Sequence, residues 1–113
     1  NDTKILEQFV LLVRQHYTEE KQLHFYTSQL AISQKKLNQI VRNATGHTPA
    51  KFLETYILNE AARILRYSDL SVKQTVAELG YSDSSYFIKA FKKQFKKTPT
   101  EYRKSAKFNL NTK

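Results

Sequence analysis

The chain has 113 residues, 40% of them hydrophobic, with seven Phe and seven Tyr, which suits one compact domain or two very small ones with a real core and argues against disorder. Nineteen Lys and Arg stand against ten Asp and Glu for a net charge of +9, and the excess lies late, six basic against four acidic residues in 1–48 but thirteen against six in 49–113; a polyanion is the favoured partner class, with a merely solubilising Lys surface as the alternative. With no Cys there can be no disulfide or thiolate metal site, no apolar run approaches the ~20 residues of a membrane span, and no signal peptide is visible; a cytoplasmic chain that begins at Asn1 rather than Met is expected to be part of a longer protein.

Residues 4–17 set Ile5, Phe9, Leu12 and Val13 at helical spacing, which predicts a first, supporting helix. A polar connection at Glu19 to Gln22 leads to a short helix over Tyr26 to Ala31. Ser33 is the expected N-cap of a helix from Gln34 to about Thr45, with Leu37, Ile40, Val41 and Ala44 on its buried face and Lys35, Asn38, Gln39 and Arg42 on the other. Gly46 stops that helix, and Thr48-Pro49 opens the next, Thr as cap and Pro in the first position. From Pro49 to Tyr67 no Gly or Pro interrupts an apolar pattern of Phe52, Leu53, Tyr56, Ile57, Ala61, Ile64 and Leu65, so one helix of roughly 27 Å is expected. Ser71 caps a helix bearing Val72, Val76 and Leu79, which Gly80 ends; Tyr81 and Ser82 fill the turn. Asp83 caps a second helix, to about residue 95, whose Phe87, Ala90, Phe91 and Phe95 share one face while Ser85, Lys89, Lys92 and Lys96 share the opposite one. After Arg103 a last short helix should fade by about Lys107, leaving residues 108–113 as a frayed tail.

The chain repeats itself. Positions 37–49 match 87–99 at an offset of 50, with Leu37 on Phe87, Val41 on Phe91, Arg42 on Lys92 and Thr48-Pro49 on Thr98-Pro99. Upstream the offset is 49, pairing Leu30 with Leu79, Ile32 with Tyr81 and Ser33 with Ser82, as a one-residue difference in turn length would produce. The expected fold is therefore all-α, seven helices in one domain (1–113): a helix-turn-helix subdomain over 4–48, a linker helix over 49–67 and a second helix-turn-helix subdomain over 71–107.

On the first recognition helix, the Asn38 and Gln39 amides suit adenine N6 and N7, Lys35 suits guanine, and Arg42, with Lys36, suits phosphate; the alternative is that these are ordinary solvated side chains. Tyr86, Phe87, Phe91, Phe95 and Tyr102 could stack on RNA bases, but their helical spacing favours core packing for all five. His16, His24 and His47 lack a ligand pattern, so no metal or other cofactor is expected, and two glycines with no nucleophile and base in sight leave catalysis unsupported.

Residues 76–103, VAELGYSDSSYFIKAFKKQFKKTPTEYR, resemble the C-terminal signature of the AraC/XylS transcription regulators at Ala77, Leu79, Gly80, Tyr81, Ser82, Asp83, Tyr86, Phe87, Phe91, Lys92, Pro99, Tyr102 and Arg103. Two positions depart from it: Lys96 stands where the family usually has Gly, and Ile57 where many members have Arg. The resemblance implies a bacterial DNA-binding domain that inserts two recognition helices, about 34–45 and 83–95, into successive major grooves. It assigns Ser84, Ser85, Ile88 and Lys89 to bases, with Ile88 as an exposed apolar side chain suited to a thymine methyl, and Lys92, Lys93 and Lys96 to the backbone. It also implies an effector or signalling domain elsewhere in the full-length protein; RNA polymerase is a further candidate partner. The alternative function is a basic helical protein-interaction module with only non-specific nucleic-acid affinity.

Overall fold

The structure, a computed structural model, describes residues 1–111, and side chains as far as Ala106. Among these residues there are seven helices and no strand: α1 Asp2–His16, α2 Leu23–Leu30, α3 Gln34–Thr45, α4 Pro49–Tyr67, α5 Val72–Glu78, α6 Ser84–Phe95 and α7 Pro99–Asn111. The chain forms two compact units, Asn1–Thr55 and residues 56 onward, and the division falls inside α4. The helix expected as a linker therefore supplies core to both units.

In the first unit Phe9 and Val13 of α1, Tyr26 of α2, Leu37, Ile40 and Val41 of α3 and Leu53 of α4 are buried. Phe9 meets the Tyr26 ring edge-on at 5.8 Å and the Phe52 ring at 5.6 Å. The helix α2 begins three residues earlier than its apolar pattern suggests, at Leu23, because Tyr26 anchors it from inside: the buried phenol donates to the Glu20 carbonyl at 2.6 Å. Ala44, expected in the core, is exposed, since it lies beyond the buried Leu37, Ile40 and Val41 stripe of α3.

In the second unit Ile57, Leu58, Ala61, Ala62 and Leu65 of α4 lie in the core with Val76, Leu79, Phe87, Phe91 and Ala106. Phe91 is its centre, with ring centroids of Phe87, Phe95 and Tyr102 at 5.8, 4.5 and 5.4 Å. Arg103 donates from Nε to the Leu65 carbonyl at 3.0 Å, satisfying an orphan acceptor in the last turns of α4. At the C-terminus, the fading expected near Lys107 does not occur: α7 continues to Asn111, and only the last two residues of the expected frayed tail lie outside the described residues.

Candidate nucleic-acid interface

Each unit carries the same tight turn ahead of its recognition helix. In the first, Ala31 adopts the left-handed region at φ 56°, and the N–H groups of Ala31 and Ile32 donate to Ser28 and Thr27 carbonyls at 3.2 Å each. In the second, Gly80 sits at φ 88°, and the N–H groups of Gly80 and Tyr81 donate to Ala77 and Val76 at 3.0 and 3.1 Å. These bonds pair the turns at an offset of 49, whereas the caps that follow pair at 50. Ser33 Oγ accepts the Lys36 N–H at 3.0 Å and Asp83 Oδ1 accepts the Ser85 N–H at 3.0 Å. The inserted residue is thus Ser82, and the structural counterpart of Ser33 is Asp83 rather than the Ser82 that the sequence alignment selects.

The recognition helices α3 and α6 also stop alike. Gly46 and Lys96 both take left-handed conformations, φ 79° and 64°. Lys96 thus adopts, with a side chain, the conformation that Gly46 takes without one, and its Nζ donates to the Lys93 carbonyl at 3.1 Å. The helices that follow, α4 and α7, open on capped turns, where Thr48 Oγ1 accepts the Lys51 N–H at 3.1 Å and Thr98 Oγ1 accepts the Glu101 N–H at 3.2 Å. Glu101 reciprocates by accepting the Thr98 N–H at 2.8 Å. That hydrogen bond, first, and the charges of Lys92 and Lys97 hold the Glu101 carboxyl below its ordinary pKa.

Most of the sequence-nominated side chains reach solvent. On α3, Lys35, Lys36, Gln39 and Arg42 are exposed and Asn38 is half-buried; on α6, Ser84, Ser85, Lys89, Lys92, Lys93 and Lys96 are exposed. Lys36 lies 3.5 Å from the Asp2 carboxylate, an exposed pair that contributes little to stability but partly occupies the cation. Ile88 differs from expectation. It is half-buried and lines a recess of about 420 Å³ with Val72, Val76, Ala77 and Tyr81, so a good part of its apolar surface is already covered by protein. Tyr86 differs in the other direction: expected in the core, it is 57% exposed, because it lies a residue before Phe87 and off the Phe87–Phe91 stripe. Two charges that bear on the interface were not nominated. Lys97 is exposed and bonded to Ser105 Oγ at 2.8 Å, and Asp83 puts a carboxylate at the leading end of α6. The cluster of five Lys at 89, 92, 93, 96 and 97 and the N-cap position of Asp83 were the available signals for these.

A family model described as a helix-turn-helix domain matches residues 26–105, spanning both turns and both recognition helices. The chain belongs to the AraC/XylS family, as a DNA-binding domain. Among curated proteins, this AraC-family domain is 31% identical over 103 residues to the HTH-type transcriptional activator RhaS of Salmonella schwarzengrund, covering 91% of the present chain and 37% of RhaS. Among solved structures, an AraC-type transcriptional regulator from Chromobacterium violaceum superposes with a TM-score of 0.84 at 22% identity, over 92% of this chain and 93% of that one. The DNA-binding domain of AdpA, determined with a target DNA, gives 0.85 at 23% identity, over 92% and 94%. At those identities the structures establish the shared all-α fold. Family membership makes this domain a DNA-binding one and not an enzyme. Among the described residues no helix is long and apolar enough to cross a membrane.

Proposed function

We propose that this AraC-family domain binds double-stranded DNA sequence-specifically, inserting α3 and α6 into successive major-groove segments of one site. The observation that carries the reading is the duplicated unit: two recognition helices entered through the same turn, each stopped by a left-handed residue and each presenting a polar, net cationic face. On α3, Lys35, Asn38 and Gln39 read bases while Arg42 and Lys36 hold phosphates. On α6, Ser84, Ser85, Ile88 and Lys89 meet base edges while Lys92, Lys93 and Lys96 meet phosphates. Units related by an offset along one chain need no two-fold axis, so the preferred site is bipartite and asymmetric. Helix α4 runs from the first unit into the second without a Gly or Pro inside it.

The domain spans about a third of the curated relatives it matches, which supports an effector or signalling domain elsewhere in a longer cytoplasmic regulator. Those relatives are named transcriptional activators, and control of transcription is the activity we assign to the whole protein. Selection from a random duplex pool, followed by titration of selected and random duplexes at two salt concentrations, tests the reading. A selected-to-random affinity ratio of about 10³ or more is expected. Strong salt dependence with a ratio near one would instead identify a basic module with non-specific nucleic-acid affinity. Insertion of five base pairs between the half-elements, about half a helical turn, is expected to reduce binding to that of one unit.

A further inference from the structure

The two units are built alike, and each recognition helix carries three cations, Lys35, Lys36 and Arg42 on α3 and Lys89, Lys92 and Lys93 on α6, but the units as wholes are not charged alike and the cations are placed differently along the two helices. Residues 1–55 hold seven Lys and Arg against five Asp and Glu, net +2, and residues 56–113 hold twelve against five, net +7. Within the first unit Lys36 is drawn to Asp2 at 3.5 Å and Lys51 to Glu54 at 3.6 Å, while Lys21 Nζ is committed to the Tyr17 and Thr18 carbonyls at 2.9 and 3.1 Å. Three of its seven cations are thus engaged within the unit, as Arg63 is with Glu60 at 3.0 Å in the second.

The structural register makes the contrast position by position. Ser33 corresponds to Asp83, Lys35 to Ser85, Asn38 to Ile88, Gln39 to Lys89, Asn43 to Lys93, Gly46 to Lys96 and His47 to Lys97. The N-terminal residues of a recognition helix are the ones that meet base edges. At that end α3 offers a cation and two amides, groups that make bidentate contacts to guanine or adenine. At the same end α6 offers a carboxylate, two hydroxyls that suit any base, an isoleucine partly withdrawn into the recess with Val72, Val76 and Ala77, and in Lys89 a single group suited to guanine. Its cations begin at Lys89 and crowd into its C-terminal half and the residues just after it.

We infer that the units divide the work: α3 supplies most of the sequence discrimination, through Lys35, Asn38 and Gln39, and α6 supplies most of the salt-dependent affinity, through Lys92, Lys93 and Lys96. The inference rests on the DNA-binding reading and says which unit does which part. It also means that unit 2 holds the domain on DNA of any sequence while unit 1 tests it.

Four double variants of the whole domain separate the roles, each titrated with selected and random duplexes over a range of salt. Lys92→Gln with Lys93→Gln is expected to remove close to two units from the slope of log affinity against log salt and to leave the selected-to-random ratio within about threefold. Lys36→Gln with Arg42→Gln is expected to remove one unit or less from that slope. Asn38→Ala with Gln39→Ala is expected to lower the ratio at least tenfold with the slope unchanged, and Ser84→Ala with Ser85→Ala to lower it less than threefold. Because Asn38 is half-buried, Gln39→Ala alone, at an exposed position, is measured beside the double variant, and melting curves confirm folding. Equal slope losses in the two charge variants, or a larger loss of ratio in the serine variant than in the amide variant, overturns the division of labour. If wild-type protein shows no selected-to-random ratio at all, the DNA-reading proposal itself fails, and the division falls with it.

Discussion

Gly46 and Lys96 end the two recognition helices in one conformation, at φ 79° and 64°, each donating its N–H to the carbonyl four residues back, Arg42 at 2.9 Å and Lys92 at 2.7 Å. A residue with a Cβ is strained there by about 1–2 kcal/mol, and the bond from Lys96 Nζ to the Lys93 carbonyl offsets only part of that. Lys96→Gly should therefore stabilise the second unit by about 0.5–1 kcal/mol, the greater freedom of glycine in the unfolded chain limiting the gain. The same variant should lower DNA affinity and reduce the salt slope by about one. Thermal melting and duplex titration read the two effects separately; a lower melting temperature would show that the Lys96 side chain, not its charge toward DNA, accounts for the residue.

At Gly46 the converse substitution is informative. An added Cβ would meet nothing within 4 Å, so Gly46→Lys carries only the conformational cost, about 1 kcal/mol. It should cost melting temperature in the first unit while raising affinity for random duplex and adding about one to the salt slope. No gain in affinity would mean that the end of α3 does not approach phosphate.

Phe91 is fully buried among three aromatic rings, and truncation of such a side chain costs about 3–5 kcal/mol. In a unit of this size that is a large share of total stability, so Phe91→Ala should melt the second unit at ordinary temperature. Circular dichroism should show loss of roughly the helical signal of α5 to α7. An unchanged transition would put the ring at the surface and revive stacking on RNA.

Helix positions and caps were legible in the sequence because each rests on a local rule: Ser33, Ser71 and Asp83 all accept backbone N–H groups from their own first turns. The seven-helix all-α fold followed from those signals and from the repeat. What the sequence did not yield depends on neighbours far along the chain. Leu23 joins α2 because Tyr26 packs on Phe9, Ile88 withdraws because α5 offers it Val72 and Val76, and Ala44 stays in solvent despite its helical spacing. The alignment mispaired Ser33 for a related reason. The offset paired Ser33 with Ser82 letter for letter, although Asp83 is the expected cap, and the hydrogen bond from the Ser85 N–H makes Asp83 the counterpart of Ser33.

Asp83 itself offers a charge test that leaves its cap in place. Asn caps a helix as well as Asp, so Asp83→Asn should cost less than about 0.5 kcal/mol, chiefly the lost attraction of the carboxylate to the helix dipole. Removing a negative charge from the leading end of α6 should then raise affinity for random and selected duplexes alike by a fewfold at low salt, an advantage that fades as salt screens it. A change confined to selected sequences would instead make Asp83 a base-reading group, for example toward a cytosine amine.

The last test concerns what holds α2 against α1. Tyr26 is fully buried, its ring edge-on to Phe9 and its hydroxyl donating to the Glu20 carbonyl at 2.6 Å. Burial, with the Glu20 charge adding to it, pushes the phenol from 10.0 up to about 12, because a phenolate there would lose its solvation and sit beside a carboxylate. The folded state thus keeps a proton that the unfolded chain releases nearer its ordinary value. With the folded pKa raised, this contribution to stability is complete below about pH 10 and is lost as pH rises from there toward about 12. Tyr26→Phe keeps the aromatic packing, removes the titration and leaves the Glu20 carbonyl without its donor, at a cost of about 1–3 kcal/mol near neutrality. Urea denaturation of both proteins, followed by far-UV circular dichroism at pH 7 and at steps up to about pH 11, should show wild type more stable at neutrality and the difference shrinking across the alkaline steps. A difference that stayed constant with pH would mean that the phenol titrates alike in the folded and unfolded states, and that its hydroxyl stabilises the first unit by the hydrogen bond alone.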